Sequence, residues 1–388
     1  MQAQEQIRIW QAGDDTRLTT TDVPFSNDGS TFTVGDQTFD TNSVDSITIV
    51  HTIYVTFAGE TATVDLGHAP NVTFTTDGAH VSILSTNTRN ELELVLQGES
   101  TQGSLTYDGP LKCKFYLNGL NLKSNRGAAI DIQCGKRVDL ILNPGTQNIL
   151  ADAAGGEQKA ALYCKGHLEV EGSGSLTVTG NAKHGIATKE YMQLKKSTGT
   201  ITVNKAVSDA MHVGQYFLMS GGALVLSGQT GDGLQVEKVT LSDDVTPDPS
   251  KEENGQMFIR GGSINVTAAN ELVKGIKVPG DLTISGGTLG IIATGDGSKG
   301  ISVSGNMLVN QNDGTTYIQV MATGNIYEDE VTEEETRCMG IKVDGNMTVN
   351  AGTIMVTNNT RNGSRGIRVH GTYTESPEAS VTANKKIG

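Results

Sequence analysis

Asp209 and Asp232 each stand two residues before an apolar residue, Met211 and Leu234, in stretches that otherwise look alike. If the two stretches are successive rungs of a stacked chain, their carboxylates lie ~5 Å apart. Such charges repel unless a cation or a basic side chain stands between them. A calcium ion, hard and oxygen-seeking, is one answer, with Asp209 and Asp232 as ligands. An ion pair is the other: Lys274 takes the same position in the next stretch and His184 in the preceding one. On the sequence both readings stay open.

The residue just after each apolar anchor faces outward, which places His212, Gln235 and Lys277 on one surface. Tyr191 and Tyr216 both fall five residues after an anchor, so they stack one above the other. Stacked aromatic rings with polar neighbours suit sugar rings, whose C–H faces pack on aromatic faces. The same pair also suits a purely stabilising stack beneath a turn. A glycoside hydrolase needs two carboxylates roughly 5–9.5 Å apart, a spacing that any stacked coil supplies, so the match decides little. The sequence contains no nucleophile elbow, phosphate loop or zinc-ligand spacing.

These positions depend on a repeat. The anchors are Ile130, Leu162, Ile186, Met211, Leu234, Ile276, Ile301, Ile341 and Ile367, mostly about two dozen residues apart. The two longest intervals carry polar insertions, residues 239–255 and 324–337. A small residue precedes each anchor and a β-branched one usually follows two later, the alternation of a short strand. Two further alternating pairs follow each anchor, such as Met192/Leu194 and Ile201/Val203, with turns between. Three short strands and three turns per coil predict an all-β solenoid, the parallel β-helix. Its hand is expected to be right, as for nearly all parallel crossovers.

Composition agrees. Of 388 residues, 48 are Gly and only 5% are aromatic, as suits many turns and a narrow bore. No stretch approaches the ~18 apolar residues of a membrane span. Net charge is −14, which argues against nucleic acid as a partner. Cys113, Cys134, Cys164 and Cys338 form no metal-binding spacing; Cys164 reads as a buried thiol, and a Cys113–Cys134 bridge is open in an exported protein. The opening Met1-Gln2-Ala3-Gln4-Glu5-Gln6 has no apolar export region and reads as a mature chain after signal removal.

Residues 1–57 depart from the coil pattern and are expected to form an N-terminal β cap over the open end, with the solenoid occupying 58–388. Residues 58–125 read as irregular early coils. The insertions, with Asp243-Asp244, Glu252-Glu253, Glu328-Asp329-Glu330 and Glu333-Glu334-Glu335, read as solvated acidic loops that leave a turn and project from the rod.

The frame Ser208-Asp209-Ala210-Met211, Gly231-Asp232-Gly233-Leu234 and Leu282-Thr283-Ile284-Ser285-Gly286-Gly287-Thr288-Leu289 resembles a family of bacterial cell-surface carbohydrate-binding β-helices whose prototype binds cellulose and pectic acid. The resemblance runs over roughly 90–383. It implies a non-catalytic, calcium-binding relative of pectate lyases, held at the surface or secreted, with polysaccharide as its partner. The family doubles the Asp. Here Ser208 and Gly231 stand in the first place, and Lys274, Lys299 and Arg365 replace the second in later coils, which suits acidic sugars. The alternatives are a calcium-dependent polysaccharide lyase, with Lys274 or Lys299 as proton acceptor, and an adhesin or structural surface protein.

Overall fold

The computed structural model describes residues 5–11, 14–19, 25–27, 29–34, 36–239, 254–358 and 365–384. Most of the first insertion, including Asp243-Asp244 and Glu252-Glu253, lies outside the described residues. Among them the chain is almost entirely β; the one helical turn is Thr41–Ser43.

The strands pair with a stride of three. Ala160–Cys164, Leu168–Glu171 and Ser175–Gly180 are followed by His184–Thr188, Met192–Leu194 and Thr200–Ala206. Each member of the first trio pairs in parallel with its counterpart in the second. The anchors are in direct register from Ile130 through Leu162, Ile186, Met211, Leu234, Ile276, Ile301 and Ile341 to Ile367. The same column begins earlier than the regular repeat, with Val81 beside Leu105 and Leu105 beside Ile130. The result is a β-solenoid around one continuous apolar core that reaches from Ile53 to Val369.

Packing explains the small residue before each anchor. A Cβ on Gly300 would stand 2.6 Å from the carbonyl oxygen of Gly340, and one on Gly275 2.6 Å from that of Gly300. Adjacent rungs approach too closely there for a larger side chain. At another corner Gly262 (φ 84°) and Gly287 (φ 97°) sit in the left-handed region that glycine enters without cost to a Cβ.

The early rungs are built differently. Glu91–Ser100 and Cys113–Lys123 are long strands that run past a positive-φ glycine and serve two faces. Cys113–Lys123 pairs with Val138–Leu142 through its first half and with Gln147–Ala151 through its second. The strand Ser46–Ala58 crosses the boundary expected at residue 57 and pairs in parallel with Glu91–Ser100. Glu5–Gln11 lies antiparallel on its other side. Ile9, Phe32, Val34 and Phe39 form a small apolar cluster of their own. The second insertion carries a short antiparallel pair, Tyr327–Glu328 with Glu335–Thr336.

All four cysteines are free and buried. Cys134 donates its thiol to the Leu111 carbonyl rather than bridging Cys113.

Candidate functional site

The sheet formed by the anchor strands carries nearly all the residues singled out above. Inward positions are filled mostly by Ile, Leu, Met and Val, so the alternation turns Tyr163, Ala187, His212, Gln235, Lys277, Ser302, Lys342 and Arg368 to the outer face, rung after rung; Tyr163 and Ala187 are buried there in a small cluster with Ala160.

At the centre of this face, Asp209 and Asp232 are stacked as expected and neutralised from within. The Asp232 N–H donates to Asp209 Oδ1 (2.8 Å), and the Lys274 N–H donates to Asp232 Oδ1 (2.7 Å). His212 Nδ1 donates to Asp209 Oδ2 (2.8 Å), and Lys277 Nζ lies 3.2 Å from Asp232 Oδ2. Lys274 thus meets Asp232 with its backbone, and the ammonium beside that carboxylate belongs to Lys277. Lys277 also donates to Gln235 Oε1 (3.1 Å). Three of the four carboxylate oxygens accept from a nitrogen, and the fourth, Asp232 Oδ2, faces the Lys277 ammonium.

His212 is held from both sides. Its Nε2 donates to Glu237 (2.9 Å) while Nδ1 donates to Asp209. Carboxylates only accept, so the ring is an imidazolium. Burial works against that charge, but the hydrogen bonds to Asp209 and Glu237 outweigh it and raise the pKa. Burial also opposes the Asp209 charge, and the hydrogen bonds from His212 and the Asp232 N–H overcome it and hold that carboxyl below its usual range. His184 stacks on His212, with ring centroids 4.4 Å apart, and its Nδ1 accepts from the Asp209 N–H (3.2 Å). Burial first, and the neighbouring His212 charge second, keep His184 neutral. The two imidazoles open onto a cleft of about 290 Å³ that Lys159, Tyr163, Lys183, Lys189 and Glu237 also line.

The C-terminal half of the face is cationic. Lys274 and Lys299 are register neighbours, Arg365 follows across Met339, and Lys277, Ser302, Lys342 and Arg368 form the adjacent row. Lys342 is paired with Asp344 (2.8 Å). Among the described residues no carboxylate forms an ion pair with Lys274, Lys299, Arg365 or Arg368. Burial, then Lys274 and Lys342, lower the Lys299 pKa to about 8, and its ammonium donates to the Gly297 carbonyl (3.0 Å).

Tyr191 and Tyr216 lie at the corner leading to the second strand of their rungs. They stack at 4.7 Å and 16°, with His167 also stacked on Tyr191 and Phe258 nearly perpendicular to Tyr216. Their ring faces therefore meet each other, and Tyr216 is buried. The Tyr191 hydroxyl donates to Glu169 (2.7 Å), which Lys195 also holds (2.9 Å). What this ladder turns outward is ring edge rather than ring face.

A family profile described as "Carbohydrate-binding domain-containing protein" matches residues 77–379. The chain belongs to that carbohydrate-binding domain family. A protein of the same description from Acetivibrio thermocellus is 32% identical over 95 residues, which cover 22% of this chain and 32% of that protein. The carbohydrate-binding domain chain thus spans about a third of the length of the relative it matches. A solved structure of the polysaccharide lyase-like protein from C. thermocellum, a gadolinium derivative, is similar at a TM-score of 0.45 and 15% identity, over 85% of this chain and 100% of that one. In this carbohydrate-binding domain, sequence reasoning placed Asp209, Asp232, His212, Gln235, Lys274 and Lys277 on one face. It missed Lys159, Lys183, Lys189 and Glu237, which flank the strands three residues before or after an anchor, outside the inward–outward alternation.

Proposed function

We propose that the domain binds an acidic polysaccharide without cleaving it, with the glycan chain lying along the solenoid axis over the anchor sheet. The observation that carries this reading is the cluster of Lys274, Arg365 and Arg368 beside the buried Lys299, set on one face of a chain whose net charge is −14. Rungs repeat at about 4.8 Å and Met339 interrupts the row between Lys299 and Arg365, so the face offers cations to a chain of carboxylates at multiples of that step. Family membership supports the carbohydrate half of the proposal, and the cations supply the acidic half. The coil is read as right-handed with three strands per turn, residues 1–57 as its cap, and the protein as exported. Asp209 and Asp232 serve to position Lys277 and His212, and calcium is not required for binding.

Lyase chemistry is the second reading. It is favoured by one observation: a lysine with a pKa of about 8 is suited to accept a proton near neutrality. Lys299 is only 8% exposed, however, and its ammonium faces its own chain at Gly297, so binding is the preferred conclusion.

Affinity electrophoresis through gels containing polygalacturonate or a neutral cellulose derivative tests the proposal. Polygalacturonate should retard the protein, less so as salt rises. The triple variant Lys274→Gln, Arg365→Gln, Arg368→Gln should bind at least about tenfold more weakly, the loss of one or two charge contacts. Equal retardation of variant and native protein removes the cluster from the site. Release of unsaturated, ultraviolet-absorbing product would transfer the conclusion to the lyase.

A further inference from the structure

We propose that His184, Asp209 and His212 form a binding site for a divalent transition-metal ion of the zinc class, independent of sugar binding. One ligand atom from each of the three residues lies within 4.8 Å of the others. Asp209 Oδ2 is the hub: it stands 2.8 Å from His212 Nδ1 and 3.4 Å from His184 Nδ1. Ligand atoms around a tetrahedral ion bound at about 2.0–2.2 Å stand about 3.3–3.6 Å apart. The His184 separation already fits. The His212 separation is about half an ångström short, because a proton now lies where the metal would.

The nitrogens are prepared for that exchange. His184 Nδ1 accepts from the Asp209 N–H at 3.2 Å, so it is the unprotonated nitrogen, with Asp209 Oδ2 3.4 Å away. A metal would compete with this long bond. His212 would give up its Nδ1 proton and keep Nε2–H on Glu237, 2.9 Å away. A carboxylate behind a metal-bound imidazole is the usual way such a ring is oriented and made more basic. Asp209 Oδ1 is fixed in the same manner by the Asp232 N–H. His184 and Asp209 are 3% and 7% exposed, so the site is largely enclosed. Its open side gives onto the cleft that both imidazoles line, where water or an anionic oxygen would complete four-coordination.

The donor set selects the ion. Two imidazole nitrogens and one carboxylate suit zinc and its neighbours; calcium and magnesium take oxygen. The metal would tie the strand His184–Thr188 to the strand Met211–Val213, the next rung.

The test uses the full chain stripped with EDTA. Calorimetric titration with ZnCl2 should show one site, and CaCl2 in excess should not compete. His184→Gln and His212→Gln should each weaken zinc binding at least tenfold with an unchanged circular dichroism spectrum. Cobalt(II) added to the unaltered chain should give the strong visible absorption of a four-coordinate ion, a readout that does not depend on the variants folding. No zinc uptake, uptake equal in both variants and the native chain, or the weak spectrum of octahedral cobalt would each overturn the proposal.

Discussion

Lys299→Met tests the electrostatics of the cationic face directly. Lys299 is 8% exposed and lies between Lys274 and Lys342, and its pKa falls from the ordinary 10.5 to about 8. At about 1.4 kcal/mol per pKa unit, keeping this lysine charged costs the folded state about 3 kcal/mol, or roughly 2 once residual access of water is counted. Methionine has similar length and no charge, so the substitution removes that cost. It also removes the bond to the Gly297 carbonyl, worth about 1 kcal/mol. The net expectation is a gain of about 1 kcal/mol at pH 7. The sign changes with pH. Below pH 8 the lysine is charged in both folded and unfolded chains, and the cost is present in full. Between about 8 and 10.5 it is neutral when folded and charged when unfolded, so the native protein gains stability as pH rises. Urea unfolding followed by circular dichroism should therefore show Lys299→Met more stable than native at pH 7 and no more stable at pH 10. A variant that is less stable at pH 7, or a difference that does not change with pH, would refute the reasoning.

Gly300→Ala should destabilise the solenoid by about 1–3 kcal/mol, because the new methyl meets the Gly340 carbonyl and the Val320 side chain; a lowered urea midpoint checks it. Glu169→Gln should cost about 1–3 kcal/mol at pH 7 by removing the nearest of the three carboxylates around Lys195. Burial raises the Glu169 pKa, but Lys195 and Tyr191 overcome it and hold the carboxyl down, so its stabilisation is complete above the ordinary 4.5 and is lost as pH falls through the lower folded value. An acid titration of the variant should accordingly be flatter below pH 4.5 than that of native protein. All four thiols should resist a soluble disulfide reagent until denaturant is added, since each cysteine is buried; rapid labelling of the native chain would contradict the packing around Cys113, Cys134, Cys164 and Cys338.

The repeat was legible because an in-register solenoid writes its geometry into the spacing of single residues. Ile130 to Ile367 could be aligned by eye, and the small residue before each anchor was visible before the carbonyl that requires it. Side-chain direction was less legible. Lys274 and Lys277 are both basic and adjacent to Asp232, yet only the ammonium of Lys277 reaches it, because Lys274 meets Asp232 through its own N–H. The Tyr191–Tyr216 stack could be read as a column, but which surface of the rings faces out depends on the corner geometry. Lys159, Lys183, Lys189 and Glu237 lie at fixed offsets from the anchors but just outside the strands, where the alternation stops and no longer says which way a side chain points. The long early strands around Gly98 and Gly119 were hidden for the same reason: two strands that share one backbone look like a single alternation.

The anchor register has a consequence for how such a chain can change over time. Each rung touches only the rung before and the rung after. Excising the stretch between Ile276 and Ile301 would join two ends that already occupy equivalent places, and duplicating it would do the same. The rod can thus lengthen or shorten in whole steps while every inward neighbour keeps its kind of partner. The outward rows would be edited in the same steps, so the order of acidic, aromatic and basic rungs, and the length of surface they present, can be reshuffled without redesign of the core.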